Sequence, residues 1–135
     1  CKNNKKINID NISNTKILPY IYNMQEVMEL SDLVVSRSGA MTITEISTIG
    51  KPAIFIPFPF ATENHQEYNA KVLENVGAAK IILDKDLTYT KLDTLIKELI
   101  SNKQKLAEMG NKAKTVAKSN VADNIYLEIK KAISK

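Results

Sequence analysis

"SDLVVSRSGAMTITEISTIGKPAIFIPFP", residues 31–59, carries the pattern from which the fold follows. A compact β-branched run, "LVVS" (33–36), leads through a small-residue turn into "AMTITEISTIG" (40–50). There Ile43, Ile46 and Ile49 recur at helical spacing and look inward. Gly50 stands where a helix C-cap needs left-handed backbone, and Pro52 just beyond cannot continue the helix. "PAIFIPF" (52–58) is then a second apolar strand. Neither strand alternates cleanly between polar and apolar residues, which is the mark of burial on both faces. Strand, helix and strand of this kind make a right-handed βαβ unit with parallel strands.

The same rhythm extends outward. Upstream, "TKILPYI" (15–21) reads as a further extended run, with Pro19 suiting its end better than its middle, and "MQEVMELSD" (24–32) as a helix. "KINI" (6–9) is a candidate edge strand. Downstream come a loop, "PFATEN" (59–64), a helix, "HQEYNAKVLENVG" (65–77), closed by Gly77, and a strand, "AKIIL" (79–83). After Asp84 the strands stop, and 90–101, 103–119 and 121–133 read as three amphipathic helices. The expectation is an α/β fold: a parallel sheet of four strands with helices on both faces, ending in several C-terminal helices. In such a sheet a ligand belongs at the carboxyl ends of the strands, beside helix N-termini.

Bulk properties narrow the class. With 135 residues, 44% of them hydrophobic and 25% charged, the chain has ordinary globular composition and the size of one domain or part of one. No apolar run approaches the roughly 20 residues that span a bilayer, and the polar start "CKNNKKINID" is unlike a signal peptide. The single cysteine, Cys1, excludes an internal disulfide and suits a reducing cytoplasm. It stands where an initiator methionine would, so a piece of a longer chain is expected. The net charge of +4 rests on Lys, and most lysines lie beside Glu or Asp on helical stretches. A solvated lysine surface is therefore preferred, no nucleic-acid partner is expected, and an anionic membrane surface near Lys112, Lys114 and Lys118 stays open.

Arg37, the only arginine of the chain, lies at the carboxyl end of the "LVVS" strand. Ser38 and Gly39 then turn the chain into the helix. The backbone N–H groups around Ala40, Met41 and Thr42, with the positive dipole end, suit a phosphate or diphosphate, and Arg37 adds charge nearby. Glu45, one turn further on the face of Met41, could accept from two vicinal hydroxyls, as on a ribose. The alternative makes Glu45 a dipole-favoured acid salt-bridged to Arg37, and the residues alone weigh the two equally. His65 and Gln66 follow another strand end and would project toward Arg37. Asn64 and Glu67 could form a variant capping box there, leaving His65 as a surface or capping residue. Tyr20, Ile21 and Met24 could wall a flat base, with core packing as the alternative. His65 has no second His or Cys and no visible Asp/Ser partner, so neither a metal site nor a catalytic triad is expected.

In this order "PYIYNM" (19–24), the 31–59 stretch, "NHQEYNA" (64–70) and "GAA" (77–79) resemble the MurG family of lipid II-forming transferases, within the two-domain GT-B set. The resemblance runs from Pro19 to Leu83, and the helical tail fits the family's ending. It implies the Rossmann-like C-terminal half of a GT-B transferase, with UDP-GlcNAc as donor. It further implies lipid I as the undecaprenyl-linked acceptor, cytoplasmic work at the inner membrane face in cell-wall synthesis, and no cofactor or metal. By this resemblance Ile21 reads the uracil with Met24 close by, and Arg37 is the family arginine before the Ser38–Gly39 turn. Ala40, Met41 and Thr42 lie near the diphosphate and ribose, Glu45 accepts from the ribose hydroxyls, and His65 and Gln66 touch the donor sugar. The family's N-terminal domain, with its Gly-rich loop and histidine, and the glycine-serine turn that opens the C-terminal domain are not present here. The expectation is thus a single partial donor-binding domain over 1–135, with no catalytic residue of its own, an exposed sheet edge, weak donor binding and no turnover alone. The alternatives are another GT-B transferase, a UDP-sugar epimerase, or a small subunit of a split glycosyltransferase.

Overall fold

The computed structural model describes residues 14–133, with side chains described to Ser119. The chain runs α1 (Met24–Leu30), β1 (Val34–Ser36), α2 (Ala40–Ile49), β2 (Ala53–Phe55), α3 (His65–Asn75), β3 (Ala79–Ile81), α4 (Tyr89–Ile100) and α5 (Lys103–Ile133). The strands form one parallel sheet in the order β1-β2-β3, with Val34 opposite Ala53 and Ala53 opposite Ala79.

The central strand explains the layering. Successive side chains of a strand point to opposite faces. Ala53 and Phe55 join a core with Ile43 and Ile46 of α2, Leu73 of α3 and Val116 of α5. Ile54 and Ile56 join a second core with Leu99 of α4 and Leu106 of α5. Helices thus cover both faces, as the uninterrupted apolar run of residues 53–56 requires. The helix-spaced Ile43 and Ile46 are buried and Ile49 packs against them.

Turn chemistry delivers α2 to the sheet. Gly50 takes φ 77°, and its N–H and that of Lys51 both donate to the Ile46 carbonyl. Gly77 at φ 76° closes α3 in the same way, with Ala78 N–H donating to Leu73 O. α5 packs chiefly along α2. It crosses so closely that a Cβ at Gly110 would fall on the Gly50 carbonyl oxygen.

Three expectations are corrected. Residues 15–21 form no strand: Ile17 and Leu18 are exposed, Pro19 has no N–H for a ladder, and no described residue pairs with the outer edge of β1. Among the described residues the sheet therefore has three strands, and none of those residues pairs with that edge. Residues 103–119 and 121–133 are one helix, α5. Ser119 and Asn120 have low helix propensity, but without Gly or Pro between the segments the ladder continues. The capping box at Asn64 does not form: Asn64 is left-handed (φ 58°), its side chain makes no cap bond, and its amide donates to Glu67 instead. The candidate strand at 6–9 lies outside the described residues.

Candidate functional site

The start of α2 is open. Ile43 N–H makes the first helical bond, to Gly39 O, at 3.0 Å. Among the described residues the N–H groups of Ala40, Met41 and Thr42 have no acceptor. Gly39 has φ −63°, a value open to any residue, so the turn does not demand glycine. What glycine provides is space: a Cβ there would meet nothing within 4 Å. Three donors unbonded among the described residues, the positive end of a ten-residue helix and open space on the Cβ side of Gly39 are chemically suited to an oxyanion.

Glu45 opens onto a cleft of 410 Å³ between α1, β1 and α2, lined also by Met24, Val27, Val35 and Thr42. Its carboxylate is exposed and makes no hydrogen bond or ion pair among the described residues. It is not the partner of Arg37. Met24, Thr42 and Glu45 are thus brought together, with apolar walls and one acid. Ile21 is half-buried just upstream of α1 and does not line that cleft. Tyr20 and Tyr22 stack edge to face, 5.0 Å apart, and both are exposed. Met41 projects into solvent, 78% exposed, so only its backbone faces the proposed seat of an anion.

The second cluster ties the strand ends together. Arg37 Nη1 donates to Asp84 Oδ1 at 2.6 Å, to Ile56 O at 3.1 Å and to Pro57 O at 3.3 Å. The Phe58 ring lies 5.8 Å from its Cζ. Gln66 Oε1 accepts from the N–H groups of Ser38 (3.2 Å) and Phe58 (3.0 Å), joining the loops after β1 and β2. Ser38 is fully buried: its hydroxyl donates to Gln66 O at 2.6 Å, and its carbonyl accepts from Asn69 Nδ2 at 3.1 Å. Ser38 therefore acts as a tie. Gln66 keeps its amide N–H groups unbonded among the described residues, available to a ligand. His65 is exposed, 3.4 Å from Glu63, and is not drawn into this cluster. Asp84 and Asn69 escaped the sequence reading. The available signal for Asp84 was position, since it follows β3 as Arg37 follows β1.

The first turn of α3, which carries Gln66, is also held electrostatically. Glu67 has its carboxyl below the ordinary 4.5, first through the hydrogen bond from Lys71 and then through that from Asn64. A carboxyl depressed in the folded state contributes stability that is full above its unfolded value and is lost as pH falls through the folded one. Acidification below 4.5 is therefore expected to loosen residues 64–70, seen as faster amide hydrogen exchange there. Glu67→Gln should abolish that pH response, and a response unchanged in the variant would assign it elsewhere.

Among the described residues no three His, Cys, Asp or Glu side chains cluster as a metal site, and no helix is long and apolar enough to cross a membrane. Residues 2–125 match the family model described as glycosyltransferase family 28 C-terminal domain. Over 122 residues the chain is 46% identical to the UDP-N-acetylglucosamine--N-acetylmuramyl-(pentapeptide) pyrophosphoryl-undecaprenol N-acetylglucosamine transferase of Thermoanaerobacter sp. (strain X514), covering 90% of this chain and 34% of that protein. The protein of the same name from Oenococcus oeni is 47% identical over 116 residues, covering 86% and 31%. The crystal structure of Acinetobacter baumannii MurG matches with TM-score 0.70 and 39% identity, over 82% of this chain and 33% of that one. The glycotransferase of kitacinnamycin, 24% identical with TM-score 0.53, shares the fold. The chain spans about a third of the length of the curated relatives it matches.

Proposed function

The chain belongs to the glycosyltransferase family 28 C-terminal domain family, and from that premise we propose that it is the donor-binding part of a transferase that moves N-acetylglucosamine from UDP-GlcNAc to lipid I. In this reading residues 1–135 are one partial domain, and the acceptor-binding domain lies in a polypeptide segment outside this sequence. The relatives' printed name supplies the donor sugar and the undecaprenyl-linked acceptor. One observation on the chain itself carries the reading: three N–H groups at the start of α2, unbonded among the described residues, stand beside open space at Gly39, one turn from the cleft of Glu45.

The diphosphate sits on the N–H groups of Ala40, Met41 and Thr42, with Arg37 beside it. Glu45 accepts from the ribose hydroxyls, and the uracil lies toward Met24 and Ile21. Gln66 offers its amide N–H to the sugar, and His65 approaches only if its side chain turns from Glu63. The acceptor hydroxyl attacks the anomeric carbon, UDP departs from the opposite face, and configuration inverts. Charge developing on the departing diphosphate is stabilised by the fixed N–H dipoles and the helix end, which need no rearrangement at that moment. The general base comes from the segment outside this sequence. A lipid-linked acceptor calls for work at a membrane surface, and this reading places it at the inner face of the cell membrane, in cell-wall synthesis.

Titration with UDP, UDP-GlcNAc and UDP-glucose, followed by amide shifts, tests this. Ala40, Met41 and Thr42 should shift with all three ligands and much less with uridine. Residues 64–67 should distinguish UDP-GlcNAc from UDP. Saturable binding that leaves residues 37–45 unmoved would put the nucleotide elsewhere.

A further inference from the structure

We propose that Asp84 is a positioning residue for the nucleoside-diphosphate site, acting through Arg37; the proposal rests on the functional reading above. Asp84 opens the short 3-10 turn, Asp84–Asp86, that leaves β3, so its carboxylate lies at the same end of the sheet as the start of α2. The ion pair of 2.6 Å and the two bonds donated to the carbonyls of Ile56 and Pro57 all leave from a single nitrogen, Nη1, whose two hydrogens are shared among the three acceptors. One corner of the guanidinium thereby ties the ends of all three strands. Nε and Nη2 have no partner among the described residues, so their hydrogens are unspent.

A guanidinium is planar, so fixing one corner removes much of its freedom, and the Phe58 ring 5.8 Å from Cζ restricts its tilt. An arginine that wanders loses that freedom when it takes a phosphate, and the loss subtracts from affinity. Here the ordering precedes the ligand. The pair is half exposed, 50% for Arg37 and 36% for Asp84, so its direct attraction is small and orientation is what it supplies. Asp84 is also an anion close to an anion site. Its removal on charge grounds alone would tighten phosphate binding, whereas a positioning role predicts weakening. The sign of the effect separates the two.

Arg37 is the only arginine in the chain, so its Nε–H and Nη signals are unambiguous reporters by NMR. In the 135-residue chain the Nη groups should show slowed rotation. Asp84→Ala should average them, and Asp84→Glu should restore part of the slowing. The affinity for UDP should fall about three- to fivefold in Asp84→Ala, recover partly in Asp84→Glu, and stay level for uridine in both. Unaltered Arg37 rotation, or UDP binding that is unchanged or tighter in Asp84→Ala, overturns the assignment. A parallel loss of uridine binding and thermal stability would mark Asp84 as merely structural and equally overturn it. Failure of the unaltered chain to bind UDP sinks the functional reading itself, and is read before any variant is made.

Discussion

Glu45→Gln is expected to weaken UDP binding by about ten- to a hundredfold, the span given by hydrogen bonds from two neutral hydroxyls to a charged acceptor. The carboxylate is exposed at the edge of the α1–α2 cleft and bonds to nothing among the described residues, so its loss should leave the folded state intact. Titration calorimetry with UDP, paired with a melting curve, separates binding from folding. A UDP analogue lacking both ribose hydroxyls supplies the reciprocal control. It should bind the unaltered chain about as weakly as UDP binds the variant, and the variant should not discriminate between the two ligands. Equal affinity of variant and unaltered chain for UDP would take the ribose grip away from Glu45, while leaving the diphosphate seat at Gly39 to stand or fall on its own titration.

The second large effect concerns α5. Gly110→Val is expected to destabilise the fold by about 3 kcal/mol, lowering the melting temperature on the order of 10 °C. Valine is the better intrinsic helix former by roughly half a kcal/mol, so propensity alone predicts the opposite sign. The close crossing decides. A Cβ at Gly110 would lie on the Gly50 carbonyl oxygen, with Pro52 Cδ 3.8 Å away. The oxygen belongs to a left-handed cap, so it cannot give way without disturbing the end of α2. Gly39→Ala is the matched control. Its Cβ meets open space and its φ is ordinary, so stability should change by less than about 1 kcal/mol. A melting curve of Gly110→Val coincident with that of Gly39→Ala would mean that α5 does not lie against the α2–β2 turn as closely as described.

Lys114 lays its methylenes along Gly50, and Lys112 brings its Nζ close to Gly77, each at the carboxyl end of a helix. The Lys112 ammonium there complements the negative end of the α3 dipole. Of the lysines that the sequence left open to a membrane surface, Lys112 thus has its ammonium, and Lys114 its stem, against the fold.

What the sequence determined by itself was local. The apolar run at 53–56 required cover on both faces, Gly50 and Gly77 marked helix ends, and the isoleucines of 43–49 chose the buried side of α2. Each of these reads out within one or two turns of chain, where spacing and backbone preference act directly. Tertiary structure alone decided the partners. Arg37 pairs with Asp84, 47 residues away, rather than Glu45, eight residues away and on the same helix-bearing segment. Gln66 Oε1 accepts from Ser38 and Phe58, and the expected strand at 15–21 has no ladder partner among the described residues. The physical reason is common to all three. A hydrogen bond joins whatever groups the register of the sheet brings within about 3 Å, and that register is set by packing across the whole core.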